Sequence, residues 1–224
     1  MARISTAHQA GRRLDLRLVR HLVRRGIARA VGRDSAGITA PLDLYAQVPA
    51  LFWAYVRLER ATAGLHGLDR RLHALAELEA ATLTRCAYCI DLGSAIARRW
   101  GLTDAELRAL PDYASSPLFS PLDRLVLDYA VAMSRTPVEV PAGLVEELRA
   151  RLGEPQLVQL THHIALENLR GRFNRALGVG SAGLSDGTVC ALPAGRAPSG
   201  ASPTRRPPGD RPSDPIDAAA GGPR

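Results

Sequence analysis

The sequence predicts an all-α protein, and three observations carry that expectation. Leucine, alanine and arginine, all favourable helix formers, dominate the chain. Apolar residues recur at the helical spacing, and alternating runs of β-branched residues are absent. Aromatic side chains make up only 4% of the residues. With 46% hydrophobic residues in 224, the chain can bury one good-sized core, and no second full hydrophobic block is present, so a single compact domain is expected.

Taken in order, the first helix is expected from Leu14 to Val31, and a second from Pro41 to Gly64, with Pro41 suited to a first helical position. Leu72, Leu75, Leu78, Ala81 and Thr82 keep the helical period of a third. Leu83-Thr84-Arg85 then breaks the pattern, with Thr84 as the expected N-cap of a fourth. That fourth helix continues through Ile90, Leu92, Ile96, Ala97 and Trp100 until Gly101 stops it. Thr103-Asp-Ala-Glu106 has the form of a capping box and opens a short helix that Pro111 curtails. Residues 115–121 read as a loop. Helices from Leu122 to Arg135 and from Gly143 to Leu152 follow, separated by Pro137 and Pro141, and a long one from Pro155 to Leu177 closes at Gly178. This gives seven or eight helices and no assignable internal repeat.

Chemistry is concentrated in the first turn of the fourth helix, in the run Thr-Arg-Cys86-Ala-Tyr-Cys89-Ile-Asp-Leu-Gly-Ser. Residues i and i+3 share a helix face with Cβ atoms about 5 to 6 Å apart, close enough for small adjustments to satisfy disulfide geometry. The positive end of the helix, with Arg85 adjacent, lowers a cysteine pKa from its usual value of about 8.5. Two other readings of the pair exist. Cysteine is often a small buried hydrophobe, and Cys-x-x-Cys can supply half of a tetrahedral zinc set. The other half would have to come from His162 and His163 or from Cys190, and adjacent histidines on a helix point about 100° apart. No metal and no organic cofactor is therefore expected.

From Leu72 to Trp100 the pattern Leu-Thr-x-Cys-x-Tyr-Cys-Ile-Asp-Leu-Gly-Ser-Ala, then Ala-x-x-x-Gly-Leu-Thr-Asp, resembles the carboxymuconolactone decarboxylase and alkylhydroperoxidase D-like family. The similarity extends to Arg-Phe-Asn-x-Ala-Leu-Gly at 172–178 and Cys-Ala-Leu-Pro at 190–193, and so covers most of residues 45–192. The resemblance implies an alkylhydroperoxidase D-like helical bundle, usually oligomeric. In the redox branch it implies a Cys-x-x-Cys that reduces peroxides and is re-reduced by a thiol donor. By position, Cys89 corresponds to the sulfur that attacks peroxide and Cys86 to its resolving partner. That branch also carries a histidine four residues after the second cysteine and a glutamate twelve residues before the first, which form a proton relay. Here those positions hold Gly93 and Ala74.

A positioned acid accelerates such a step by about two to four orders of magnitude, so a substitute has to be sought. Candidates are Asp91, Glu77, Glu79 and the His162-His163 pair, of which His163 falls on the apolar face with Leu160, Leu166 and Glu167. Gly93, one turn after Cys89, removes a side chain that would cover that sulfur, or else serves close helix packing. Cys190 is expected to be a spare thiol.

The two ends differ from the core. Residues 1–33 hold nine arginines against Asp15, and residues 193–224 hold eight prolines and five glycines. The division expected is a basic, partly helical extension over 1–40, the helical domain over 41–192 and a disordered Pro/Gly-rich tail over 193–224. All 29 basic residues are arginine, which suggests a coding bias rather than a ligand, and no aromatic-interleaved basic patch supports nucleic-acid stacking. Arginines at 17, 20, 24, 25 and 29 exclude an apolar signal core, and no segment approaches about 20 consecutive apolar residues. A cytoplasmic protein with no integral membrane segment is expected.

The function expected is thiol-dependent peroxide reduction or thiol–disulfide exchange through Cys86 and Cys89, with His163 and Asp91 as assisting groups. Its partners would be a small hydroperoxide, a thiol reductant and further copies of the chain. The alternatives are a lyase or isomerase acting on a lactone or carboxylate, and a non-enzymatic small-molecule-binding member of the fold.

Overall fold

A computed structural model describes residues 14–185 and 190–191. The expected disordered tail, 193–224, lies outside the described residues. Helices follow one another as α1 (Leu14–Val31), α2 (Ala40–Tyr45), α3 (Pro49–Ala63), α4 (Arg70–Leu83), α5 (Ala87–Arg99), α6 (Asp104–Ala109), α7 (Pro121–Ser134), α8 (Ala142–Leu152) and α9 (Glu154–Leu177). Short 3-10 turns at Ala36–Thr39 and Leu110–Asp112 complete the path, and no strand occurs among the described residues.

The central helix is α4, which packs against α5, α7 and α9. Its small residues explain how three neighbours fit around it: Ala74, Ala76, Ala80 and Ala81 are all buried and let the surrounding axes approach closely. On one side, Ala76 and Ala80 meet Val126 and Ala130 of α7, Leu148 of α8 and Leu160 and Ile164 of α9. On another, Leu75 and Leu78 meet Ala97 of α5, Leu107 of α6 and Leu127 of α7. A third cluster, around Ala81, gathers both cysteines with Ile38, Leu44, Ile90, Val179 and Leu184.

Polar caps set the ends of these elements. Asp69 opens α4 by accepting from the N–H groups of Arg71 at 2.9 Å and Leu72 at 3.2 Å. The apolar period alone begins at Leu72, so this first turn was not anticipated. Arg71 then bridges to Glu106 at 2.6 Å and Asp123 at 3.1 Å, tying α4 to α6 and α7. The capping box at Thr103 forms as expected: Thr103 N–H donates to Glu106 Oε2 at 2.7 Å and Glu106 N–H to Thr103 Oγ1 at 3.2 Å.

Two sequence expectations are corrected. The helix expected from Pro41 to Gly64 is two helices, because Pro49 has no N–H to donate and its ring would collide with the carbonyl of Tyr45. Val48, the residue before it, is accordingly extended at φ −124°. Thr84 does not cap α5. It closes α4, its hydroxyl donating back to the carbonyls of Ala80 at 2.9 Å and Ala81 at 3.1 Å, and the N-cap of α5 is Cys86.

Both α4 and α9 end in a Schellman motif. Cys86 N–H reaches Ala81 O at 3.1 Å and Arg85 N–H reaches Thr82 O at 3.0 Å. At the end of α9, Val179 N–H reaches Asn174 O at 2.9 Å and Gly178 N–H reaches Arg175 O at 3.3 Å. The motif needs a left-handed residue at its corner. Gly178 supplies φ 72° without a Cβ penalty, whereas at the other corner a non-glycine, Arg85, sits at φ 51°.

The expected first helix forms. Leu16 is buried with Leu42, Ala46 and Phe52, and Ile27, Ala28 and Val31 pack against the cluster that holds the cysteines. No helix among the described residues is long and apolar enough to cross a membrane.

Replacing Arg85 by glycine should raise stability by up to about 1 kcal/mol, and Gly178→Arg should lower it by a similar amount, both read from urea unfolding. A second expectation concerns Glu79, which is 7% exposed on α4. Burial pushes its carboxyl up to about 7, opposed only by the Thr82 hydroxyl 3.5 Å away. Between about pH 4.5 and 7 the folded chain therefore holds a proton that the unfolded chain releases, so this group makes stability fall as pH rises through that window. Glu79→Gln should flatten that decline, by up to about 3 kcal/mol in the pH dependence of unfolding.

Candidate active site

The Schellman turn at the end of α4 delivers Cys86 directly to the N-cap of α5, where its Sγ accepts the N–H of Cys89 at 3.2 Å. Cys89 lies in the first turn of the same helix, and the two form a disulfide with a Cα–Cα separation of 5.2 Å. The spacing argument from the sequence is realised in this geometry. Cys86 is 1% exposed and Cys89 7%, so Cys89 is the less deeply buried residue of the pair.

A third residue completes the pair. The side-chain amide of Asn174, on the last turn of α9, places Nδ2 3.6 Å from each sulfur. Asn174 is buried and its Oδ1 makes no hydrogen bond among the described residues. It was not among the residues singled out for chemistry, although it belongs to the Arg-Phe-Asn run at 172–174. Nothing in an isolated asparagine announces that it will face a disulfide 85 residues away. The approach of α9 is made possible one turn earlier by Gly171, where an added Cβ would lie 2.3 Å from Thr84 Oγ1 and 2.7 Å from Thr84 Cβ.

Segments distant in sequence pack around α5 and α9. Tyr88 donates its hydroxyl to the carbonyl of Ile38, and Tyr45 stacks between Tyr55 and Phe173, with centroids 4.2 Å away on each side. Asp91 holds the chain that follows α9. Its carboxylate accepts from Ser181 Oγ at 2.8 Å and from the N–H groups of Ala182 at 2.8 Å, Leu184 at 3.0 Å and Ser185 at 2.7 Å. Beyond that loop, Ala191 N–H reaches Ser94 Oγ at 3.2 Å, and half-buried Cys190 packs against the cluster containing the disulfide.

The other sequence candidates gather elsewhere. His162 and His163 diverge as expected: His162 Nε2 lies 2.8 Å from Thr62 Oγ1, whereas His163 is buried with Nδ1 3.4 Å from Glu77 Oε1. Glu77 also meets His73 at 3.2 Å and Arg170 at 3.0 Å. Arg170 grips both oxygens of Glu59, at 2.8 and 2.6 Å, and reaches Glu167 at 3.1 Å. Burial opposes the charge on Glu77, but Arg170 and the two histidines outweigh it and hold its carboxyl well below the usual range. Burial pushes Glu167 up, against the pull of Arg170. Glu77 lies six residues before the end of α4 at Leu83, and His163 eleven before Asn174 on α9, roughly 16 to 17 Å along that helix, so His163 and Glu77 do not join the thiols. The positions of the family relay are apolar. Ala74 packs in the cluster of Leu75 and Leu78, and the one neighbour facing a Cβ at Gly93 would be Leu78 Cδ1 at 3.2 Å.

Filling the α4–α9 contact tests how the site is held. Gly171→Ala should cost about 1 to 3 kcal/mol in urea unfolding and withdraw the Asn174 amide from the sulfurs.

Comparison with known proteins agrees with this architecture. Residues 49–132 match the carboxymuconolactone decarboxylase family. The chain is 33% identical over 170 residues to the uncharacterized protein YnjA of Escherichia coli (strain K12), covering 74% of this chain and 88% of that one. It is 26% identical over 112 residues to the uncharacterized protein YdfG of Bacillus subtilis (strain 168), covering 50% and 76%. Among solved structures, the debrominase Bmp8 superposes with a TM-score of 0.65 at 19% identity, over 77% of this chain and 90% of that one. The alkylhydroperoxidase AhpD core of a peroxidase-related protein from Ralstonia eutropha JMP134 gives 0.65 at 18% identity, over 80% and 92%. These two likenesses establish the fold, and the sequence matches establish the kinship: the chain belongs to the carboxymuconolactone decarboxylase family.

Proposed function

We propose that Cys86 and Cys89 form a redox-active pair that reduces a hydroperoxide, or passes the same two electrons in thiol–disulfide exchange. The observation that carries this reading is the disulfide at the N-cap of α5 with the Asn174 amide against both sulfurs. Helix N–H groups and an amide donor both favour a thiolate over a thiol. In the forward step the Cys89 thiolate attacks one peroxide oxygen, the O–O bond breaks, and the alkoxide leaves and takes a proton. Cys86 then attacks the sulfenic sulfur of Cys89, the S–O bond breaks, hydroxide departs as water, and the disulfide closes. An external dithiol restores both thiols through a mixed disulfide.

Proton delivery distinguishes this site from the redox branch of the family. Ala74, Leu78 and Gly93 leave no acid where that branch carries its relay. Asp91 has its oxygens engaged by the 181–185 loop, burial pushes the Tyr88 hydroxyl up, and His163 lies at the far end of the interface. In this reading the leaving group takes its proton from solvent, and turnover falls by about two to four orders of magnitude relative to a relay-assisted site. Substrates with good leaving groups are then favoured. Bmp8 is a debrominase, and a variant of it was solved with 2,3,4-tribromopyrrole. Reductive removal of bromide is likewise a two-electron reaction, so brominated pyrroles belong beside hydroperoxides among the substrates to test.

Mass spectrometry of the alkylated, pre-reduced protein before and after one equivalent of hydroperoxide should show Cys86 and Cys89 lose two hydrogens together. Failure to link them sinks the redox reading, and full turnover of a lactone by Cys86→Ser and Cys89→Ser variants would replace it with a lyase. Asn174→Ala should raise the pKa of the reactive thiol by about one unit, read from the pH dependence of alkylation.

A further inference from the structure

The geometry points to a binding site for one divalent first-row metal ion, formed by His73 and Glu77 of α4 and His163 of α9. His73 and Glu77 are one helical turn apart and share a face, and α9 lays His163 over them. Glu77 Oε1 lies 3.2 Å from His73 Nε2 and 3.4 Å from His163 Nδ1, and all three donor atoms fall within 4.8 Å of one another. An ion bound tetrahedrally at about 2.0 to 2.1 Å sets its ligands roughly 3.3 Å apart, so the oxygen already stands at ligand distance from both nitrogens.

Beyond Glu77, those nitrogens have no polar partner among the described residues. Both are buried, and despite their closeness to Glu77 neither makes a well-directed hydrogen bond among the described residues. The His163 side chain is 2% exposed. Its ring lies against that of His73 with centroids 3.6 Å apart and planes tilted by 36°, and His73 also meets Trp100 at 4.9 Å, so both rings are held in place.

Charge balance supports a cation. Glu59, Glu77 and Glu167 surround a single guanidinium, that of Arg170. Arg170 keeps its two bonds to Glu59 and its bond to Glu167 if Glu77 turns Oε1 toward an ion. Two imidazoles and one carboxylate suit zinc, cobalt, nickel, copper or ferrous iron over magnesium and calcium. This set is distinct from the thiol pair and stands whether or not that pair reduces peroxide.

The test uses the tag-free, disulfide-bonded protein after chelator treatment, titrated with Zn²⁺ by calorimetry and with Co²⁺ by visible absorption. One equivalent of each should bind, the Co²⁺ bands showing nitrogen and oxygen ligands, with no displacement by Mg²⁺. Zn²⁺ affinity should fall about tenfold or more in His73→Ala and stay unchanged in the Cys86→Ser/Cys89→Ser double variant. No binding by the wild type, affinity unmoved by His73→Ala, or sulfur-to-cobalt charge-transfer bands would each overturn the proposal. Should His73→Ala unfold, the ligand-field spectrum of the intact protein and the Glu77→Gln variant decide the matter in its place.

Discussion

The thiol end of the molecule depends on how closely α9 approaches the last turn of α4. Gly171 against Thr84 is a contact in which any side chain on α9 would overlap the hydroxyl and Cβ of its neighbour. Asn174 is one turn further on, and a displacement of an ångström or two there would leave its amide out of reach of the sulfurs. Thr84 in turn sits in the Schellman corner that aims Cys86 at the start of α5. A single small residue thus couples the ending of one helix, the capping of the next and the polar contact to the reacting atoms.

The same interface organises the opposite pole. Along α9, His163, Glu167 and Asn174 are buried, with half-buried Arg170 between them, and Arg170 joins three carboxylates from α3, α4 and α9. Buried ionic groups of this kind are costly to desolvate and tolerate no loss of a partner. The cluster ties α9 to α3 and α4, and the same α9 carries Asn174 to the disulfide. The two poles are mechanically linked through a rigid pair of helices while remaining chemically separate.

Most of the helical frame was legible in the chain itself. The capping box at Thr103, the stop at Gly101, the closing glycine at 178 and the first helix all follow from local chemistry that neighbouring residues supply. The misses are equally local in origin. Pro49 carries the signal for a break between α2 and α3 in its own ring and missing N–H. Asp69 lay outside the apolar period that marked α4, and Thr84 offered a cap to either of two adjoining helices. Which of those helices it served depended on Arg85 adopting a left-handed conformation, which its residue type disfavours.

The site divides along the same line. A pair of cysteines three apart at a helix start needs no tertiary information to form a disulfide, because both sulfurs lie within one turn of backbone. The direction in which His162 and His163 diverge is likewise a property of the helix. The partnership of Asn174 with the sulfurs, of Asp91 with the 181–185 loop, and of His163 with His73 and Glu77 belongs only to the folded chain. Each joins elements separated by about 85 to 95 residues, and packing across α4, α5 and α9 rather than any nearby sequence brings them together.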